Sequence, residues 1–193
     1  MSIWQTLKLR LCAALFVGLL WQPAFAAATV STTATPSPAV VGSPANVKVM
    51  ITGIVDLFGF QFSLAFNPAV LQAIGLTEGT FLAAGGATTF GTSGIDNVGG
   101  KVNFVFNALD NAVPGVSGSG LLATITFSAV AIGSSPLSFS DVLFIDSALN
   151  DITVSATNGV LQVVAIPEPA GFALLGFGLI ALVAARRYQR VKP

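Results

Sequence analysis

The stretch Phe58-Gly59-Phe60-Gln61-Phe62-Ser63-Leu64-Ala65-Phe66 alternates bulky apolar residues with small or polar ones. In an extended strand, successive side chains point to opposite faces, so a period of two collects the large residues on one face. A helix would spread the same residues around its axis. The stretch therefore predicts a half-buried β-strand whose aromatic face lies against a core, and Asn67-Pro68 after it predicts a turn.

The same alternation recurs along the middle of the chain, in four segments with apolar residues at every second position or in a short run. Gly, Pro, Asn and Ser clusters separate these segments, and such clusters favour turns. Residues 27–165 show no helical period beyond one turn near Pro68, so we expect an all-β fold, a β-sandwich of jelly-roll type. The four segments are Val47/Val49/Ile51, Val102/Phe104/Phe106, Leu121/Ala123/Ile125/Phe127 and Val160–Val164.

The composition of the whole chain excludes several classes of enzyme. Among 193 residues, 53% are hydrophobic, 8% are charged and none is His. Without His there is no Ser-His-Asp triad, no His-bound zinc and no imidazole general base. Cys12 is the single cysteine and cannot form an internal disulfide. We expect a protein that is not an enzyme.

The first 26 residues have the pattern of a secretory signal peptide. Lys8 and Arg10 precede an apolar run of about ten residues, and Ala24 and Ala26 form an A-x-A cleavage site. The alternative is a short buried helix. The signal-peptide interpretation predicts export, with residues 1–26 removed and no cysteine left in the mature chain.

The C-terminal residues form a second apolar segment, an uncharged run over residues 170–185 followed by Arg186 and Arg187. Sixteen helical residues reach about 24 Å, close to the thickness of a bilayer core, and flanking arginines extend that reach. Positive charges after the run place its C-terminus in the cytoplasm. The pattern predicts a transmembrane helix over 170–185, with a buried C-terminal helix of the domain as the alternative.

Pro167-Glu168-Pro169, the apolar run and Arg186-Arg187 together resemble a PEP-CTERM sorting signal. This resemblance implies export in a Gram-negative bacterium, recognition by an exosortase-type processing enzyme and a frequent association with exopolysaccharide. By this interpretation the C-terminal helix is a removable address. The expected organisation is a signal peptide over 1–26, a β-sandwich domain over 27–165 and a sorting signal over 166–193.

The predicted domain is acidic, although the whole chain is formally neutral. Lys48 and Lys101 face seven acidic residues, which gives residues 27–165 a net charge of −5 and no Arg. Nucleic-acid binding needs a basic surface, so we expect no nucleic-acid partner. The acidic residues are Asp56, Glu78, Asp96, Asp110, Asp141, Asp146 and Asp151.

Three segments of this domain are similar to cohesin domains: Val41–Val49, Asp56–Leu71 continued by Glu78–Leu82, and Asn158–Val163. Asn67 stands where cohesins usually have an Asp before the Pro. The resemblance implies a jelly-roll sandwich related to a class of carbohydrate-binding modules. In cellulosomes, cohesins bind dockerin modules, so the resemblance also implies a dockerin-bearing protein as a partner.

Two groups of acidic residues are candidates for chemistry. Asp146, Asn150 and Asp151 offer oxygen ligands that could hold Ca²⁺, although ordinary turn hydrogen bonding by the same side chains is the alternative. No complete calcium-loop pattern is present, and we expect no other cofactor. Asp96 and Asp110 could act as a glycosidase pair only if the fold brought them together.

Residues 27–165 contain no Trp and no Tyr, which disfavours stacking on sugars. Most Phe residues lie at inward-facing positions, and Phe81 and Phe90 are the two that we expect to be exposed. The sequence predicts an exported, non-catalytic binding module at the cell envelope or outside the cell, anchored to the membrane at least transiently. It would recognise a dockerin-type protein. The alternative is a carbohydrate-binding or structural component of an exopolysaccharide or biofilm matrix.

Overall fold

The computed structural model describes residues 27–166 and 178–182. Residues 27–166 form eleven strands and one short helix, which confirms the predicted all-β class. The strands are β1 (Ala28–Thr35), β2 (Ala39–Val40), β3 (Pro44–Ala65), β4 (Leu71–Glu78), β5 (Thr88–Gly91), β6 (Gly94–Asp96), β7 (Lys101–Leu109), β8 (Val116–Ala129), β9 (Gly133–Asp146), β10 (Val154–Thr157) and β11 (Gly159–Val164). Helix α1 spans Thr80–Ala83, where no helix was predicted.

Strand β3 belongs to both layers of the sandwich because it crosses the first layer, bends at its end and returns antiparallel in the second layer. Its first part, up to Ile54, pairs with β1 and β8, and its last part, from Gly59, pairs with β7 and β9. Between them, Gly53 and Asp56 have positive φ values of 71° and 55°. One layer therefore has the order β10-β1-β3-β8-β4, and the other has β7-β3-β9-β11-β2, with β5 and β6 on β7.

The core lies between these layers and is made by the alternating residues that the sequence singled out. Phe60, Phe62, Leu64 and Phe66 are buried, whereas Phe58 is half-buried and packs against the core. The Phe66 ring meets the Phe127 ring of the opposite layer edge-on, at 5.0 Å between centroids. Burying large apolar side chains on both layers drives the fold without a disulfide.

The strand directions give the sandwich two chemically different ends. The acidic end contains the bend 52–56 and the loops 79–87, 110–115 and 147–153, and five of the seven acidic residues lie in or beside them. The exit end contains the loops 36–43, 66–70, 97–100 and 130–132 and the residues 165–166. Strand β1 runs towards the exit end, antiparallel to the first part of β3.

Most of the terminal predictions lie outside the described residues. These include the signal peptide with Ala24 and Ala26, Pro167 to Pro169, and Arg186 with Arg187. Within the predicted membrane helix, residues 178–182 are described and are helical. Among the described residues, no helix reaches the length and apolar character that crossing a membrane requires.

Candidate functional site: an exposed apolar face

Strands β7, β3 and β9 present an apolar outer surface. It consists of Gly59 and Gln61 on β3, Phe106 and Ala108 on β7, and Leu143 and Ile145 on β9, and we call it the Phe106 face. These residues line a shallow depression of about 270 Å³. Phe106 and Leu143 are 37% and 42% exposed, whereas their neighbours Val105 and Phe144 on the same strands are buried.

The sequence pattern placed Phe104 and Phe106 in the core, and this was wrong. A bulge in β7, where Phe104 has a φ of 42°, shifts the strand by one residue. Inward positions after the bulge are therefore taken by Val105 and Asn107, while both phenylalanines turn outward. A one-residue slip exchanges the two faces of a strand.

Ser63 lies between this bulge and a second one in β9. Its Oγ accepts a hydrogen bond from the N–H of Phe104 at 3.0 Å, and Ser63 is fully buried. On the other side, the register between β3 and β9 shifts at the same position, and Asp141 has a φ of 54°. Because the acceptor for the bulged N–H comes from a distant strand, the local alternation gives no signal of it.

Gly59 forms the floor of the depression. A Cβ at this position would lie 3.3 Å from the side chain of Ile145 and 3.4 Å from Ala108. Likewise, a Cβ at Gly91 of β5 would lie 2.9 Å from the Phe106 ring, so that ring rests across the β5 backbone. Two glycines thus shape the surface around Phe106.

Polar groups flank the Phe106 face. Lys101 Nζ donates to Asp141 Oδ2 at 2.9 Å, and Ser140 Oγ donates to the same oxygen at 3.1 Å. The hydrogen bond from Lys101, followed by those from Ser63 and Ser140, lowers the pKa of Asp141. A polar rim around an apolar centre is the usual anatomy of a protein interface.

The expectation for Phe81 and Phe90 was also wrong, because both are half-buried and pack against the core. Phe81 packs on Gly120 of β8, where a Cβ would come within 2.6 Å of its ring. The exposed aromatic residues of the described domain are instead Phe104 and Phe106.

The candidate calcium residues lie in the loop at the acidic end. Asp146 Oδ1 accepts N–H groups from Ala148 at 2.9 Å and from Asn150 at 2.8 Å, which is the turn chemistry weighed as the alternative. The backbone hydrogen bond from Asn150, then its side chain, lowers the pKa of Asp146. Asp151 pairs with Ile145 through a β-bridge. Residues 27–166 and 178–182 contain no cluster of three or more His, Cys, Asp or Glu suited to a metal.

The structure separates Asp96 from Asp110. They flank β7 at opposite ends, and nine strand residues span about 30 Å. Paired glycosidase carboxylates lie no more than about 9.5 Å apart. This pair therefore cannot perform glycoside hydrolysis.

Comparison of the chain with known protein families identifies the class of protein that has this geometry. The cohesin domain family matches residues 29–163, and the chain therefore belongs to the cohesin domain family. Cohesin domains are non-catalytic binding modules. A PEP-CTERM protein-sorting motif matches residues 165–187, directly after the domain, and this motif implies export with transient membrane anchoring. No curated protein matches the chain.

Solved cohesins have the same fold at low sequence identity. A non-cellulosomal cohesin from the archaeon Archaeoglobus fulgidus is 20% identical, with a TM-score of 0.56 over 77% of this chain and 98% of that one. A type II cohesin module from the ScaA scaffoldin of Acetivibrio cellulolyticus is 17% identical, with a TM-score of 0.62 over 73% and 93%. A type I cohesin from Clostridium thermocellum, solved in complex with a dockerin, is 13% identical, with a TM-score of 0.58 over 75% and 98%.

Proposed function

We propose that this protein is an exported binding module that recognises a protein partner through the Phe106 face. The observation that carries the proposal is the depression around Gly59, where exposed Phe106 and Leu143 surround an apolar floor, with the Lys101–Asp141 ion pair farther along β7 and β9. Exposed apolar surface rimmed by polar groups marks interaction sites. The β-rich scaffold holds these side chains in place before binding, which reduces the entropy cost of association.

The partner that we propose is a dockerin-bearing protein. Support comes from the cohesin of Clostridium thermocellum, which was solved in complex with a dockerin. Interface hot spots are enriched in Trp, Tyr and Arg, and residues 27–165 contain none of these. Binding energy on the Phe106 face would therefore come from Phe106, Leu143 and Ile145, with Gln61 supplying hydrogen bonds.

Delivery would follow the two terminal signals. In this proposal, cleavage after Ala26 releases the N-terminus outside the cytoplasm, and the segment 170–185 holds the chain in the membrane. An exosortase-type enzyme then recognises Pro167-Glu168-Pro169 and removes the tail. The PEP-CTERM motif at residues 165–187 supports this sequence of events, which would leave the domain at the cell envelope or in the matrix.

Recognition of a matrix polysaccharide is the second candidate. The exposed rings of Phe104 and Phe106 favour it, because flat aromatic groups are the platforms on which sugars stack. The same face would serve either ligand, so the ligand class must be measured.

The experiment immobilises the exported chain and captures ligands from the secreted and envelope fractions of the native host, with calcium and with a chelator. We expect a protein with a dockerin-like calcium repeat. Phe106→Ala should weaken its capture by about 30-fold, corresponding to about 2 kcal/mol for a central interface residue.

Ile74→Ala is the matched control, because Ile74 is exposed on β4 of the other layer. It should leave capture unchanged. Equal losses in both variants, or capture that is insensitive to Phe106→Ala, would contradict the proposed face. Capture of polysaccharide that depends on Phe106 would assign the second candidate function instead.

A further inference from the structure

The exit end of the sandwich carries no charge in its loops. Residues 36–43, 66–70, 97–100, 130–132 and 165–166 contain no Asp, Glu, Lys or Arg. Asp96 and Lys101 flank the loop 97–100, and Asp96 Oδ1 accepts the N–H groups of Val98 and Gly99. Such a stretch of neutral loops stands out in a domain with nine charged residues over positions 27–165.

Apolar side chains project from these loops into solvent. Val98, at the tip of the turn between β6 and β7, is 92% exposed, and Ile132 and Ile166 are 65% and 67% exposed. Val130 and Val164 are exposed beside them. Exposed apolar residues grouped in one region mark a membrane or protein contact, whereas scattered ones need no explanation.

Backbone pairing brings several of these loops together. Val41 N–H donates to the carbonyl of Val164, and Gly42 N–H donates to the carbonyl of Ala129. Gly133, directly after Ile132, pairs with Val163. The exposed residues of the loop 130–132 and of the chain exit therefore share one end of the molecule.

The chain leaves the domain from this same end. Only Pro167, Glu168 and Pro169 separate Ile166 from the apolar run 170–185. Three extended residues span at most about 11 Å. With the run in a bilayer, as the proposed sorting pathway requires, the exit end must lie close to the lipid headgroups.

The distribution of charge also favours an orientation with the exit end towards the membrane. Asp56, Glu78, Asp110, Asp146 and Asp151 lie at the acidic end, away from the chain exit. Moving carboxylates out of water into the headgroup region is costly, whereas neutral apolar loops carry no such cost. We propose that the exit end is a lipid-docking surface, in which Val98, Ile132 and Ile166 enter the headgroup region while the sorting segment is in the membrane.

The test measures contact of single labelled sites with lipid. Residues 27–193, the expected chain after signal-peptide removal, contain no cysteine and are reconstituted into phosphatidylcholine vesicles containing nitroxide-labelled phospholipid, with a fluorophore on Val98→Cys or on Leu149→Cys at the acidic end. We expect nitroxide quenching at position 98 to exceed that at position 149 by at least about threefold.

A longer linker distinguishes lipid contact made by the exit end itself from proximity imposed by the membrane segment. Inserting about 20 Gly/Ser residues between Ile166 and Pro167 gives a coil of roughly 25 Å, which frees the domain from the surface. If the exit end docks, quenching at position 98 persists. In this background Ile132→Asp should abolish it, whereas Leu149→Asp, at a residue 68% exposed at the acidic end, should not.

Quenching at position 98 that falls to the level of position 149 with the long linker would overturn the docking surface and leave the membrane tether intact. If the chain does not float with the vesicles in a density gradient, both the docking surface and the membrane tether are overturned. A different outcome is shielding of the fluorophore at position 98 from solvent to an extent that rises with the number of protein chains per vesicle and without quenching by the nitroxide lipid. That result would assign the exit end to contact with a second copy of the chain, which also overturns lipid docking.

Discussion

Asp56 connects three segments at the acidic end. Its Oδ2 accepts two hydrogen bonds from Ser147, one from the Oγ at 2.7 Å and one from the backbone N–H at 3.3 Å. Its Oδ1 accepts a hydrogen bond from the N–H of Gly115 at 2.9 Å. The hydrogen bond from the Ser147 side chain is the largest cause that lowers the pKa of Asp56 below 3.8. The ionised carboxylate is therefore favoured in the folded state.

Asp56→Asn tests this contribution, because Asn tolerates the positive φ of 55°, removes the charge and replaces one of the two accepting oxygens with an NH2 donor. A folded-state pKa below the unfolded value stabilises the fold above the unfolded pKa, and this stabilisation is lost as the pH falls through the folded pKa. We expect the wild type to be more stable than the variant between about pH 5 and 8, with the difference shrinking below about pH 4. Urea denaturation across this range measures it. A difference that does not change with pH would contradict the assignment.

Gly79 faces the main chain of β8 without room for a side chain. A Cβ there would overlap the carbonyl of Leu121 and would lie 2.5 Å from the carbonyl carbon of Leu122. We expect Gly79→Ala to lower the free energy of unfolding by about 1–3 kcal/mol, since backbone must move. Gly75→Ala, on strand β4 just before Gly79, is the control, because its Cβ meets Thr126 at an ordinary 3.7 Å. Thermal melts of the two variants that coincide would refute this prediction.

Strand β4 is the edge of its layer, and Asn97 protects it. The Asn97 side chain accepts the N–H of Ala73 at 2.8 Å and donates to its carbonyl at 3.0 Å. Neighbouring Gly75 follows a register shift in the pairing with β8. An amide side chain here takes the place of a further strand, which limits edge-to-edge aggregation.

We expect Asn97→Ala to cost about 1–3 kcal/mol and to increase aggregation, because both backbone groups of Ala73 lose their partner. Asn97→Asp keeps the acceptor and loses the donor, so its loss should be intermediate. Denaturant titration with light scattering measures both effects. Asn97→Ala behaving like the wild type in each assay would rule out this role.

The elements differ in how far the sequence predicts them. The last part of β3 and the inward residues Ile125 and Phe127 of β8 follow from alternation, because the bulges beside them lie in the partner strands β7, β9 and β4 and leave their own alternation unbroken. The Phe106 face does not follow, since the bulge at Phe104 depends on Ser63, 41 residues away. Similarly, the exit end gathers loops that are scattered along the chain, and only strand directions bring them together.

At the scale of the molecule, one core joins the two layers. Phe127 is fully buried and its ring contacts Phe66 of the other layer. We expect Phe127→Ala to lower the free energy of unfolding by about 3–5 kcal/mol through the cavity that it leaves. The control is Phe104→Ala, at an exposed position, which should cost under about 1 kcal/mol. Equal costs for the two variants would show that the layers do not share a core.

The position of β11 has a mechanical consequence. This last strand before the sorting segment lies between β9 and β2, and it runs towards the exit end. Tension between a membrane-held C-terminus and a ligand on the Phe106 face would pull β11 along its own axis. Its hydrogen bonds to β9 run across the strand, so they share the load in shear and must break together instead of unzipping singly. The domain is thus built to hold under tension in the direction in which its attachment would pull.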